Sequence, residues 1–366
     1  MKTRIFLIGY VITAALISQA GWAQSNLPVD RIRLPEGFTI EVYASGLRTA
    51  RGLSFAPDGT LFVGSKAGEV FAVKPNRKTV TVTRGLNMPV GVDFFEGDLY
   101  ISSLSEIVKI ENILSNLEND PAPQVLIDTL PRDRHHGWKF IRIGPDRKLY
   151  VPVGAPCNTC EREDERYASI LRMNLDGSNL ELVASGVRNT VGFDWHPESG
   201  ELWFTDNGRD SMGDDIPPDE LNRAPQTGLH FGFPYLHGSD VKDPRFWEDR
   251  PAGVTFQLPE HEFSAHVAAL GMRFYTGDKF PEEYRGGIFV AEHGSWNRSA
   301  KIGYRVSFVG LRGNRVTEYR IFAEGWLEGQ RSWGRPADVE IGPDGALYVA
   351  DDAADAVYRI SYNPSR

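Results

Sequence analysis

One short grammar recurs along this chain and restricts its fold more than any other feature. An alternating apolar run leads into a Pro-Asp-Gly-like turn. A Leu-Tyr-Val-like run follows, and often a third run after it. Six stretches carry all or most of this pattern. They are "GLSFAPDGTLFVGSKAGEVFAV" near Leu53, "GVDFFEGDLYISSLSEIVKI" near Val92, "FIRIGPDRKLYVPVGA" from Phe140, "GFDWHPESGELWFTDNGRD" from Gly192, "GGIFVAEHGSW" from Gly286 and "DVEIGPDGALYVADDAADAVYRI" from Asp338. Alternation over about five residues marks a half-buried strand, and the turn residues reverse the chain tightly. Units of roughly 40–50 residues built of short antiparallel strands stack into a β-propeller. The expectation is an all-β fold, a six-bladed β-propeller of four-stranded antiparallel blades, forming one domain over residues 24–366. The earlier run "GFTIEVYASGL" (Gly37 to Leu47) is expected to complete the last blade and close the ring. The wider gap before the fifth unit, "SMGDDIPPDELNRAPQTGLHFGFPYLHGSD", reads as a long functional loop.

The first 23 residues have the form of an export signal. Lys2 and Arg4 precede the apolar "IFLIGYVITAALI", and small residues offer a cleavage site after Ala23. The apolar run is short for a membrane span, so the mature chain is expected in the periplasm or outside the cell, without a span. The formal charge is −9, and removing a signal with two cations makes it more negative. This charge argues against nucleic acid and anionic membrane as partners. Cys157 and Cys160 are the only cysteines. Zinc would need more ligands, and Glu161 stands where a haem-attachment motif needs His. In an oxidising compartment a local disulfide is expected.

Several clusters carry candidate chemistry. His135 and His136 precede a strand run, where a propeller turns toward its central channel, and imidazole is a general base near neutral pH. Arg188 and Asn189 hold the equivalent place one unit later. Asp206, Asn207, Asp210, Asp214, Asp215, Asp219 and Glu220 concentrate hard oxygens suited to Ca²⁺. His293, Arg298, Lys301, Arg331 and Arg335 bring positive charge to the last two units, a pattern suited to a multiply anionic ligand.

"HHGWKFIRIGPDRKLYVPVGAPCNTC", "GVRNTVGFDWHPESGELWFTDNGRD", "PDELN" and "FVAEHGSWNRSAKIGYRV" resemble the glucose/sorbosone dehydrogenase family of soluble quinoproteins, from about Leu34 to Ile360. The departures noted below point to its sorbosone-type branch. The resemblance implies a six-bladed propeller holding pyrroloquinoline quinone and Ca²⁺. It implies oxidation of the C1 hydroxyl or aldehyde of an aldose or related sugar to a lactone or acid. Electrons would pass to an external acceptor, a cytochrome or a quinone, since the chain has no haem motif. It places the base on His136, with His135 as the alternative, and quinone contacts on Arg188 and Asn189. The loop whose carbonyls hold the cofactor's Ca²⁺ falls on Asn207, Gly208 and Arg209, a departure at two of three residues. A second, structural Ca²⁺ falls on Glu220. His293 stands at or beside a family lysine. Of two arginines that clamp the cofactor carboxylates, Arg335 matches one, and Ala337 holds the other place. Arg298 or Arg331 could replace that charge. A calcium-dependent propeller hydrolase, such as a sugar lactonase, shares the fold and the acidic loop but needs no cationic rim. A non-catalytic binding propeller predicts no titratable cluster at the channel.

Overall fold

A computed structural model describes residues 27–364. The expected export signal lies outside them. Six sheets stand around a central channel, each built on four antiparallel strands, and the third carries a fifth short strand, Leu229–His230, paired in parallel at its outer edge. Their innermost strands are Ala50–Phe55, Val92–Phe95, Arg142–Ile143, Gly192–Trp195, Ala269–Phe274 and Pro336–Ile341. The strand Phe38–Ser45 pairs with Ala356–Tyr362 as the outer strand of the sixth blade, so the two ends of the chain close the ring as expected. Among the described residues no helix is long and apolar enough to cross a membrane.

Apolar faces packed between neighbouring blades make the core. Phe62, Val70 and Ala72 of the first blade meet Val92, Leu99 and Ile101 of the second, all essentially buried. Burying such side chains is the main favourable term in folding. Around the channel the seams are polar. Asp93 accepts from the backbone of Ile143 at 2.7 Å, Asp194 from Phe274 at 3.1 Å and Asp338 from Leu53 at 2.9 Å. Ser54 accepts from Phe94 at 2.9 Å, while Arg142–Asp194 at 3.6 Å and Arg273–Glu340 at 3.0 Å serve the other seams. These contacts explain why "GVDF", "GFDW" and "ADVE" place a carboxylate on an inner strand. An inner-strand amide facing the next blade would otherwise lack a partner.

The segment expected as one long loop is partly sheet. Asp219–Ala224 is the third strand of the fourth blade, paired with Leu202–Asp206 and His261–Phe263. Its buried residues include Asp219, Glu220 and Asn222, so polar side chains occupy positions where alternation would show apolar ones. Leu236–His237 and Val241–Lys242 form a further small hairpin within the insertion.

Candidate active site

At one end of the channel the blade entrances and the loops after the second strands enclose a cavity of about 310 Å³. Of the residues singled out in the sequence, His136, Arg188, Asn189, Asn207, Gly208, Asp210, Asp219, His293 and Arg335 line it. The others lie elsewhere. His135 is exposed, its ring 4.1 Å from that of His136. Arg209 pairs with Asp243 through its side chain. Glu220 is buried in its strand, accepting from Asn222 at 2.8 Å and from the backbone of Gly238 at 2.6 Å. Arg298 ties the acidic loop at Asp214 to the Ala265 carbonyl, and Arg331 is exposed on a short hairpin.

His136 sits on a turn at φ 49°, ahead of the inner strand rather than in it. Gly154 makes room for it, because a Cβ there would lie 2.5 Å from the Cβ of His136. The His136 Nδ1 is 2.8 Å from the carbonyl of Ala155. A carbonyl only accepts, so Nδ1 carries the proton and Nε2 keeps its lone pair. Burial first, then the nearby Arg188 and His135, push the His136 pKa down to about 2. The ring is therefore an unprotonated base across the working range.

The opposite wall is cationic. Asp352 binds Arg51 at 2.8 Å, Lys66 at 2.7 Å and His293 Nε2 at 2.8 Å. Arg51 and Lys66 also lie over the ring of Trp138, 5.1 and 5.6 Å from its centroid. Arg335 donates to the carbonyls of His293 at 3.1 Å and Gly294 at 2.8 Å. Burial lowers the Lys66 pKa, and the neighbouring Arg51 lowers it further against the pull of Asp352. One carboxylate thus faces an arginine, a lysine and a neutral histidine, with Arg335 beside them. Arg51, Lys66, Trp138 and Asp352 were not singled out in the sequence. The carboxylate Oδ1 of Asp206 accepts from the backbone of Asn189 at 2.6 Å, which fixes this part of the wall. The side-chain Oδ1 of Asn189 is buried and has no hydrogen-bond partner among the described residues. Cys157 and Cys160 form the expected disulfide, with a Cα separation of 6.2 Å.

Buried titratable groups make stability depend on pH from both sides. Burial raises Asp93, Asp219 and Asp338 to about 6 and pushes Asp206 and Glu220 up as well. Folding then costs more as pH rises from about 4 through these folded values. Burial lowers His136 to about 2, His293 to about 3 and His230 to about 4, so folding costs more as pH falls below their ordinary 6.5. Between pH 4 and 8 the melting temperature of the apoprotein is expected to peak at about pH 5–6.5. Thermal melts that rise steadily to pH 8 would contradict this balance.

A propeller whose channel mouth pairs a neutral histidine with crowded cations is built to act on a ligand beside an anion. The chain belongs to the glucose/sorbosone dehydrogenase family, whose model matches residues 116–359. An uncharacterized protein of Borreliella burgdorferi is 35% identical over 366 residues, covering 96% of each chain. An aldose sugar dehydrogenase of Escherichia coli is 31% identical over 185 residues, 48% of this chain and 42% of that protein. The PQQ-bound form of an aldose sugar dehydrogenase from Streptomyces coelicolor matches with a TM-score of 0.66 at 20% identity, covering 90% of this chain and 99% of that one.

Proposed function

We propose that this protein is an exported quinoprotein dehydrogenase that oxidises an aldose or related sugar at C1. The observation that carries the reading is the surplus of cations around Asp352, facing His136 across one cavity. Pyrroloquinoline quinone is a flat tricarboxylate, and the donor set suits it. Arg51, Lys66 and Arg335 would meet its carboxylates, Trp138 would flank its plane, and the unpartnered Asn189 Oδ1 would accept from its ring N–H. For Ca²⁺ the oxygens at hand are the carbonyls of Asn158, Asn207 and Gly208 and the carboxylate of Asp210.

When bound, the quinone supplies the acceptor for the hydride leaving C1. His136 takes the proton of the same hydroxyl at Nε2, while Ala155 holds Nδ1–H and so keeps the ring in the accepting tautomer. Trp296, 74% exposed at the cavity rim, offers an aromatic face to the apolar side of a sugar ring. Trp296→Ala is expected to raise KM about 3- to 10-fold with little change in kcat, the mark of lost binding that is equal in ground and transition states. Steady-state kinetics with an unchanged KM would remove Trp296 from the sugar site.

Electrons leave to an external carrier, a cytochrome or a quinone. The reading is tested by adding pyrroloquinoline quinone and Ca²⁺ to purified apoprotein and following dye-linked oxidation of a panel of aldoses. Oxidation of at least one aldose, dependent on added quinone, is expected. No oxidation of any sugar, with hydrolysis of a sugar lactone instead, would overturn it in favour of a propeller hydrolase.

A further inference from the structure

The most completely bonded side chain of the cavity is that of Arg188, only 4% exposed. A guanidinium has five N–H donors. Here Nε–H donates to the Asn158 carbonyl at 2.8 Å, and Nη2 to Asn158 Oδ1 and Asp210 Oδ2, both at 2.9 Å. Nη1 donates to the carbonyls of Asn207 at 3.1 Å and Gly208 at 2.8 Å. Every donor is used, and every acceptor is a hard oxygen: three main-chain carbonyls, an amide and a carboxylate.

That is the donor chemistry of a Ca²⁺ site, here occupied by an organic cation. Two loops supply the cage, and they brace one another. The Asp210 backbone donates to Asn158 Oδ1 at 2.8 Å, and Asn297 donates to Asp210 Oδ1 at 2.7 Å. Asn158 lies inside the short loop closed by Cys157 and Cys160. A second cation cannot join Arg188, because the oxygens are spent and like charges at this range repel strongly.

We propose that Arg188 and Ca²⁺ are alternative occupants of this one oxygen cage, and that Ca²⁺ entry turns the guanidinium out into the cavity. There it becomes a further cation for a bound anion. The identity of that anion rests on the quinoprotein reading above, whereas the competition for the cage does not. Because a displaced Arg188 gains from the anion, metal and anion should each tighten the other's binding.

The test is calorimetric titration of CaCl₂ into chelator-stripped apoprotein, wild type against Arg188→Gln. With the competing cation gone, the variant is expected to bind Ca²⁺ roughly 5- to 150-fold more tightly. Arg188→Lys keeps a buried charge but has fewer donors, and should gain less in the same direction; it serves if the Gln variant does not fold. Saturating pyrroloquinoline quinone should tighten Ca²⁺ binding in the wild type and do so less in Arg188→Gln. Equal or weaker Ca²⁺ binding in the folded variants, or no Ca²⁺ binding in any form, overturns the proposal. Quinone that binds no form sinks the quinoprotein reading alone, since the calcium titrations of apoprotein still decide the competition.

Discussion

Replacing His136 with alanine is expected to lower turnover about 10²–10⁴-fold, the usual worth of a positioned general base. Quinone and Ca²⁺ binding should stay nearly intact, because no cation of the opposite wall bonds His136. Three observations favour it over its neighbour as the proposed base. It lines the cavity, whereas His135 is exposed. Its Nδ1 is engaged by the Ala155 carbonyl, which leaves Nε2 to accept. Burial, Arg188 and His135 hold its pKa near 2, so the base form persists in acid. The acid limb of kcat/KM should therefore lie well below the ordinary imidazole value of 6.5, and His135→Ala should shift it only slightly. Dye-linked kinetics decide the matter. Full activity in His136→Ala together with loss in His135→Ala would move the role by one residue.

Much of the fold was legible because the repeat is a pattern of turns and strand pairs, and both are local. The closure by Phe38–Ser45 followed from one strand left over before the first unit. The strand Asp219–Ala224 was not legible as a strand. Its buried polar side chains break the alternation that marks one. Half of the cavity was legible through Arg188, Asn189, His293 and Arg335, which stand out as polar residues at blade entrances. Arg51, Lys66 and Asp352 were missed, although the repeat itself held the signal of the last two. The second strands of the six blades end at Ser65, Ser102, Val153, Asp206, Glu292 and Asp351. The next residues are Lys66, Ser103, Gly154, Asn207, His293 and Asp352. Propeller geometry brings this position in each blade to the same end of the channel. Aligned in that register, a lysine, an asparagine, a histidine and an aspartate appear as one ring, with the glycine that admits His136. Arg51 lacks such a flag, since an arginine inside a strand run looks like a solvated surface residue. Ion pairing of Arg51 to Asp352, about 300 residues away, arises only when the sixth blade closes on the first.

Asp352→Asn is expected to produce the largest loss of stability of any single change at the site. The carboxylate is 3% exposed, neutralises Arg51 and Lys66 at 2.8 and 2.7 Å, and lies 2.8 Å from Nε2 of the neutral His293. Removing one partner of a buried ion pair strands the other charge and costs about 3–5 kcal/mol. Here Arg51 is nearly as buried as the carboxylate, while Lys66, with 29% of its side chain exposed, keeps some hydration. The remaining cations would repel each other across the Trp138 ring, and Lys66 would shed its proton more readily. An asparagine preserves the shape and can still accept from His293, so the loss reports charge rather than packing. Denaturant unfolding of the apoprotein should show a lower midpoint at an unchanged slope. The same uncompensated charge makes the pocket hungrier for an anion. Added pyrroloquinoline quinone should therefore raise the midpoint of Asp352→Asn by more than it raises that of the wild type. If the variant unfolds at the wild-type midpoint, the ion pairs to Arg51 and Lys66 contribute nothing to the fold. If quinone stabilises both proteins equally, the cations around Asp352 are a structural knot and not the seat of the cofactor.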